Sequence, residues 1–102
     1  MYYVYFLMQN DFHIYTGSSS NLKNRVNDHN LGKVVSTKHK RPLVLIGYEA
    51  YVLKSDAQRR ERFLKTSVGK RLLKQQYRDI ITKLKGDVVE WSNTSVSKTD
   101  KG

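Results

Sequence analysis

The chain has no cysteine, only one proline, and few acidic residues, 9 against 19 lysines and arginines. The absence of cysteine excludes disulfide bonds and thiolate metal sites, and it suits the reducing cytoplasm. The apolar run at residues 1–8 has no basic segment before it and is too short for a signal sequence or a membrane span. We therefore predict a cytoplasmic protein that does not bind a membrane.

The charge of the chain is large and uneven. Its 102 residues, 38% of them hydrophobic, are enough for one globular domain with a small core. Residues 1–85 hold 17 basic and 6 acidic residues, whereas residues 86–102 have a net charge of −1. The total of +10 attracts polyanions over a Debye length, ~10 Å at 0.1 M salt. The charge favours a nucleic-acid partner, and a basic surface that only keeps the protein soluble is the alternative.

Hydrophobic periodicity and turn residues predict a small α+β fold. The predicted elements are strands at residues 2–8 and 12–17, a helix at 21–31, a strand at 43–52, and helices at 56–66 and 70–85. This order, β-β-α-β-α-α, predicts a three-stranded antiparallel sheet flanked by helices. Gly32 and Gly86 are expected to end helices, and Ser55 or Asp56 to cap one. We assign residues 1–85 to the domain and residues 86–102 to a polar, flexible tail.

Two tyrosines lie on the predicted hairpin, and a basic pair follows on the first helix. Tyr5 and Tyr15 suit an ordinary cross-strand aromatic pair. Chemically, a phenol of pKa ~10 accepts a proton only if cations or a metal favour the phenolate. Arg25 and His29 are four residues apart and project side by side. They form either an exposed helix face or a pair in which arginine grips a phosphate and histidine moves a proton.

Glu61 is the acidic residue best suited to hold a metal ion. On its predicted helix it shares a face with Ala57 and Leu64, which turns it toward the core. Because Mg²⁺ commonly takes one or two protein carboxylates and keeps several waters, one glutamate is sufficient. The alternative is a surface ion pair with Lys65 at i,i+4, which contributes only about 0.2–0.5 kcal/mol.

The order of these motifs resembles the GIY-YIG nuclease family. YVY at residues 3–5 corresponds to the first motif and YTG at residues 15–17 to the second. The Arg/His helix at residues 21–29 and the Ala-Glu-Leu-Lys helix at residues 57–65 follow in the family's order. The resemblance covers about residues 2–85 and is closest to stand-alone, single-domain members similar to the N-terminal domain of the excision-repair nuclease.

Some positions depart from the family's pattern. Tyr3 stands where the family name has glycine, and Thr16 replaces an apolar residue, both at positions that look structural. Leu72 and Leu73 occupy the region where some relatives have an asparagine, so one supporting contact is absent from the match. Because no second domain supplies targeting, the resemblance implies low sequence specificity.

The resemblance implies a role for each matched residue. Tyr5 would be the leading general base or water activator, and Tyr15 would orient the scissile phosphate or the water. Arg25 would clamp the phosphate, and His29 would hydrogen-bond near Tyr5 or the phosphate. Glu61 would ligate one Mg²⁺ or Mn²⁺ ion.

A nucleic-acid contact surface is expected beside these residues. Gly17 would let the backbone approach the substrate closely. The basic loop after the first helix supplies the other predicted contacts, which are Lys33, Lys38, Lys40 and Arg41.

Two functions therefore compete. The first is a metal-dependent endonuclease that hydrolyses DNA, directed by structure more than by sequence, in DNA repair or processing. Its substrate would be branched or single-stranded DNA, with RNA as an alternative, and it would act as a monomer or weak homodimer. The second is a catalytically idle nucleic-acid-binding module, which predicts binding without cleavage. A protein-interaction domain is a third hypothesis, and it fits the charge only if the partner is acidic.

Overall fold

The computed structural model describes the backbone of residues 1–92 and the side chains of residues 1–87. A three-stranded antiparallel sheet is flanked by helices, which confirms the predicted fold class. The elements are β1 (Tyr2–Met8), β2 (Ile14–Ser19), α1 (Leu22–Asn30), β3 (Val44–Tyr51), α2 (Lys54–Leu64), α3 (Ser67–Gln76) and α4 (Arg78–Ser92). None of these helices, which lie within residues 1–92, is long and apolar enough to span a membrane.

The strand order β2-β1-β3 places β1 in the centre of the sheet and β2 at one edge. Alternate residues of β1 therefore pack on opposite faces. Val4 and Phe6 are 0% exposed and share a core with Ala57, Leu64 and Leu73. Each such fully buried side chain contributes about 1.5–3 kcal/mol. Because these partners belong to α2 and α3, we call this side the α2–α3 face.

The other side of the sheet is covered by α1, and we call it the α1 face. Tyr5 and Leu7 pack there with Leu43, and α1 adds Leu22 and Val26. The register between β1 and β2 extends the two faces to the edge strand. Residues 15 and 17 of β2 lie on the α1 face, whereas residues 14, 16 and 18 lie on the α2–α3 face.

The predicted final helix, residues 70–85, is two helices. Tyr77 separates α3 from α4 and packs against Phe6, with ring centroids 5.5 Å apart. The observed order is therefore β-β-α-β-α-α-α. The helix α3 begins before the predicted residue 70, because the Thr66 side chain caps it by accepting a hydrogen bond from Gly69 N at 3.1 Å. No side chain caps α2, so the predicted cap at Ser55 or Asp56 is wrong.

The helix α4 runs through Gly86 to Ser92, so this glycine does not end a helix as predicted. A glycine inside a helix costs only about 1 kcal/mol relative to alanine, which neighbouring helix formers can offset. By contrast, Gly32 has φ +76 just after α1, as expected of a helix-ending glycine. The division at residue 85 stays a prediction, and residues 93–102 of the predicted tail lie outside the described part of the chain.

Candidate functional site

A buried chain of hydrogen bonds joins β1, α1 and the loop after α1. Tyr5 Oη lies 2.8 Å from His29 Nε2, and His29 Nδ1 lies 2.7 Å from Thr37 Oγ1. His29 and Thr37 are 0% exposed, and Tyr5 is 1% exposed. Each of these polar groups depends on its partner, because an unsatisfied buried group costs about 1–3 kcal/mol. The three side chains are therefore held as one unit.

Burial sets the protonation of this unit. It lowers the pKa of His29 below the ordinary 6.5, and the nearby Arg25 guanidinium lowers it further, so His29 is neutral at pH 7. Burial also raises the pKa of Tyr5 above the ordinary 10.0, and Arg25 opposes that shift. A neutral imidazole has one donor and one acceptor nitrogen. With its proton on Nδ1, His29 accepts a hydrogen bond from the Tyr5 hydroxyl at Nε2 and donates to Thr37; with its proton on Nε2, it donates to Tyr5 and accepts from Thr37.

Tyr15 and Arg25 complete the cluster on the α1 face. The Tyr15 ring lies edge-on to His29 with centroids 5.1 Å apart, and its centroid is 6.4 Å from that of Tyr5. Arg25 is half-buried and close enough to affect the pKa values of both Tyr5 and His29. The structure therefore brings four of the predicted site residues together, and His29 and Arg25 face the tyrosines rather than open solvent.

Gly17 makes this cluster possible. It is paired with Tyr5 across the two strands. A Cβ at position 17 would lie 2.5 Å from Tyr5 Oη and 3.0 Å from Tyr15 Cε2. Both rings can lie over the edge strand only because this residue has no side chain. Packing against the tyrosines accounts for the glycine, and its contact with a substrate stays a prediction.

Glu61 lies across β2, on the α2–α3 face. Its Oε1 accepts a hydrogen bond from Ser18 Oγ at 2.6 Å, and its Oε2 lies 2.9 Å from Lys65 Nζ. Burial opposes ionisation, but the bonds from Ser18 and Lys65 hold the pKa of Glu61 below its ordinary 4.5. The carboxylate is therefore ionised at neutral pH. The ion pair with Lys65, the alternative that the sequence leaves open, is present.

The Glu61 carboxylate fits a site for one divalent ion. It is ionised, its side chain is 21% exposed, and its lysine partner is 52% exposed. Within the described residues, no group of three or more histidines or acids lies close enough together to hold a metal. One carboxylate completed by water, as Mg²⁺ commonly accepts, is thus the arrangement that these residues suit.

The cluster on the α1 face and Glu61 flank one point of the sheet edge. Gly17 faces Tyr5, and the next residue, Ser18, donates to Glu61. The Glu61 carboxylate is near enough to contribute to the raised pKa of Tyr5. The edge strand β2 therefore lies between Glu61 and the other predicted site residues. The two groups approach each other at Gly17, which has no side chain.

Two of the four basic residues predicted to contact nucleic acid have partners within the protein. Lys33 and Lys38 are exposed. Lys40 Nζ lies 2.7 Å from Asp11 Oδ2, which fastens the loop to the β1–β2 turn. Arg41 Nε donates to the Lys38 carbonyl oxygen at 3.0 Å. Lys40 and Arg41 thus have structural partners, and their contact with nucleic acid stays a prediction.

Sequence reasoning finds one partner of His29, Tyr5, and one partner of Glu61, Lys65, but it misses the other partner of each, which is Thr37 for His29 and Ser18 for Glu61. Thr37 follows His29 by eight residues in a polar loop, where a lone threonine gives no periodic signal. Ser18 belongs by sequence to a cluster of helix-capping residues, but it lies in β2. Ser18 and Glu61 are 43 residues apart in sequence, so only the fold brings them together.

Comparisons with known proteins agree with the motif order. The family model of the GIY-YIG catalytic domain matches residues 1–78. A UPF0213 protein of Staphylococcus haemolyticus is 40% identical over 74 residues, which cover 72% of this chain and 90% of that protein. UPF0213 proteins of Staphylococcus epidermidis and Staphylococcus aureus are 39% and 35% identical over the same shares. No solved structure matches the chain at a significant level.

Proposed function

Because the chain belongs to the GIY-YIG family, we propose that it is a metal-dependent endonuclease that hydrolyses phosphodiester bonds in DNA. The observation that carries the proposal is the buried chain Tyr5–His29–Thr37, which ends at the sheet edge near the ionised Glu61. The hydrogen bond between a phenol and a neutral, buried imidazole supports the proposal, because it gives the phenol proton an acceptor within the reach that general acid–base catalysis requires.

In this proposal, Tyr5 and His29 handle the proton of the attacking water. With the imidazole proton on Nδ1, His29 donates a hydrogen bond to Thr37 Oγ1. Nε2 is then free to accept the proton of the Tyr5 hydroxyl. Tyr5 then takes a proton from water as its own proton passes to His29. The water oxygen forms a bond to phosphorus while the bond to the leaving oxygen breaks, and no covalent intermediate forms. The leaving alkoxide takes a proton from solvent, and His29 returns its extra proton to solvent.

Other side chains position the phosphate and stabilise its charge. Arg25 offers a planar fork that suits phosphate oxygens, and it stands beside Tyr5 and His29. Tyr15 supports the imidazole through its edge-on contact. Glu61 would hold one Mg²⁺ or Mn²⁺ ion, and such an ion supplies charge stabilisation to phosphate oxygens and lowers the pKa of bound water.

The basic surface supports a substrate recognised by its backbone. Phosphate contacts carry no sequence information, so a domain with a net charge of +10 suits low sequence specificity. We propose branched or single-stranded DNA as the substrate, in repair or processing within the cytoplasm. RNA is the alternative that the same contacts would accept.

A catalytically idle nucleic-acid-binding module is the second candidate. It is favoured by the occupation of both Glu61 oxygens, one by Ser18 and the other by Lys65. It is also favoured by Tyr5, which is only 1% exposed. In this case Lys65 would remain the counter-ion of Glu61, and nucleic acid would bind through surface cations without being cut.

A substrate panel separates the two candidates. Flap, fork, hairpin, single-stranded, duplex and RNA substrates are incubated with Mg²⁺ or Mn²⁺ and with wild type, Glu61→Ala or Asp56→Ala. Asp56 is the matched control, because it is an acid on the same helix whose side chain is 47% exposed and pairs with Arg59. We expect metal-dependent cleavage by wild type and the control, and a loss on the order of 100-fold or more in Glu61→Ala.

Two results would reject the nuclease proposal or its site. Unchanged cleavage by Glu61→Ala would remove this residue from the site. Binding by wild type without cleavage of any substrate, with either metal, would support the idle module instead. Circular dichroism of each variant would show that it is folded.

A further inference from the structure

A groove lies between the edge strand β2 and the helices α2 and α3, and we call it the β2 groove. It has a volume of about 450 Å³, and residues 13–16 form one of its walls. The end of α2 and one side of α3 form the other wall, and Lys65, Lys70 and Lys74 line it. None of the described residues that line the groove is acidic. The groove thus concentrates positive charge along the edge of the sheet.

Two of these lysines have no other evident use. Lys70 and Lys74 are four residues apart on α3, so their ammonium groups project from the same side of the helix. Both are exposed, and neither forms an ion pair within residues 1–87. Like charges at this spacing destabilise a helix, and a bound polyanion would relieve that repulsion.

A second groove lies on the other side of Glu61, as the partners of this residue show. The second groove has a volume of about 230 Å³ and is lined by Ser18, Lys54 and Gln58 among others. One partner of the Glu61 carboxylate, Ser18, belongs to this second groove, and the other partner, Lys65, belongs to the β2 groove. A chain that followed the edge strand through both grooves would therefore pass the Glu61 carboxylate.

We propose that the β2 groove holds the phosphate backbone of one nucleic-acid strand on one side of the bond that is cut. Lys70 and Lys74 neutralise two phosphates, and Glu61 marks the scissile position. The assignment of the scissile position to Glu61 rests on the proposed function. Because the lysines contact phosphates rather than base edges, the groove fixes the path of the strand without reading its sequence.

The salt dependence of binding tests this placement. The affinity for a fluorescein-labelled oligothymidine is measured by anisotropy, in EDTA, over a series of KCl concentrations. Wild type is compared with Lys70→Gln/Lys74→Gln and with Lys23→Gln/Arg71→Gln. The two variants lose the same charge, and Lys23 and Arg71 are exposed residues outside the β2 groove that form no ion pair within residues 1–87. The comparison therefore removes the effect of net charge.

We expect the groove variant to reduce the magnitude of the slope of log K against log salt by about 1.4, because each lost phosphate contact to a single strand removes about 0.7. The control variant should change the slope by less than about half of that. Equal slopes in the two variants would overturn the proposal. Thermal melts should show both variants folded, since all four side chains are exposed.

The test is independent of cleavage, because EDTA removes divalent ions. A difference between the two variants together with a failed cleavage panel would reject the nuclease and leave the groove in place. Cleavage by wild type together with equal slopes would reject the groove and leave the nuclease in place.

Discussion

On the α1 face of the sheet the polar groups are buried and partnered, whereas on the α2–α3 face they line grooves that reach solvent. His29 and Thr37 are 0% exposed, and no buried side-chain nitrogen or oxygen in the described part of the chain lacks a partner. On the other face, the Lys65 side chain is 52% exposed. Burial shifts pKa values and fixes geometry, while exposed charges bind ions at little structural cost. In the proposed mechanism, proton transfer and the Arg25 contact with the scissile phosphate therefore belong to the α1 face, and metal binding and the path of the strand belong to the α2–α3 face.

The largest effect is expected at Gly17, where the two faces meet. Gly17→Ala places a methyl group 2.5 Å from Tyr5 Oη, and that hydroxyl is already held by His29. Because the ring cannot move without breaking this bond, we expect the free energy of unfolding to fall by about 1–3 kcal/mol. Cleavage should be lost as well. Urea denaturation followed by circular dichroism measures the change in stability.

Gly86→Ala is the matched control for this substitution. A Cβ at Gly86, inside α4, would meet no atom of the described residues within 4 Å beyond the neighbouring backbone of its own helix. Alanine there should raise stability by about 0.5–1 kcal/mol, because glycine is a poor helix former. If both variants unfolded at the same urea concentration, the close approach of Gly17 to the tyrosines would not matter for the fold.

A smaller effect on stability is expected from the pH, because His29 in the buried chain Tyr5–His29–Thr37 has a lowered pKa. Burial lowers this pKa below 6.5, so the unfolded chain takes up the proton more readily than the folded protein. The free energy of unfolding should therefore fall as the pH drops below 6.5. The total loss is about 1.4 kcal/mol for each unit by which the pKa of His29 is lower in the folded protein than in the unfolded chain. The pKa values of Asp11 and Glu61 are lowered from 3.8 and 4.5, so those groups act only at lower pH.

Urea midpoints measured between about pH 7.5 and about pH 4.5 would show this dependence. His29→Gln should give a flatter profile over the same range, because the titrating group is gone. The ring signals of His29 followed by NMR in wild type provide a second measure that does not depend on the variant. A wild-type midpoint that stays constant below pH 6.5 would contradict a neutral, buried His29.

The smallest effect is expected on the exposed side, at Lys65. Lys65→Gln removes the cation 2.9 Å from Glu61 Oε2, so a metal ion no longer competes with it. A partly exposed ion pair contributes about 0.5–1 kcal/mol, which corresponds to tighter Mn²⁺ binding by about two- to fivefold. Electron paramagnetic resonance of free Mn²⁺ measures this binding without any substrate. Unchanged or weaker binding would show that Lys65 does not compete with the metal at Glu61.

The sequence predicts the sheet and the first helix well because their signals are local. Strand β1 alternates between two apolar faces, and α1 has a cap at Asn21 and a glycine after its end. The break at Tyr77 is not predicted, because the apolar stripe of residues 70–85 continues across it. The length of α4 is not predicted either, since the cost of Gly86 is small compared with the rest of a helix.

In the candidate site, too, only the features that depend on local sequence can be predicted. Arg25 and His29 are neighbours on one helix, so their proximity can be read from their spacing. The distribution of the site over two faces cannot be read that way, because it depends on how α1 and α2 pack on opposite sides of the sheet. The buried partner Thr37 and the β2 groove likewise exist only after the chain is folded.

The central claim is that Tyr5 and Glu61, on opposite faces of β2, serve one reaction. Single-turnover cleavage rates of wild type, Tyr5→Phe, Glu61→Gln and the double variant test it directly, with Tyr3→Phe as a control from the same strand. When residues act as a unit, the effects of their substitutions on the cleavage rate are strongly non-additive. We expect single losses on the order of 100-fold or more and a double variant within about threefold of the slower single variant. Losses that multiply, or a Tyr5→Phe variant as fast as wild type, would contradict the account.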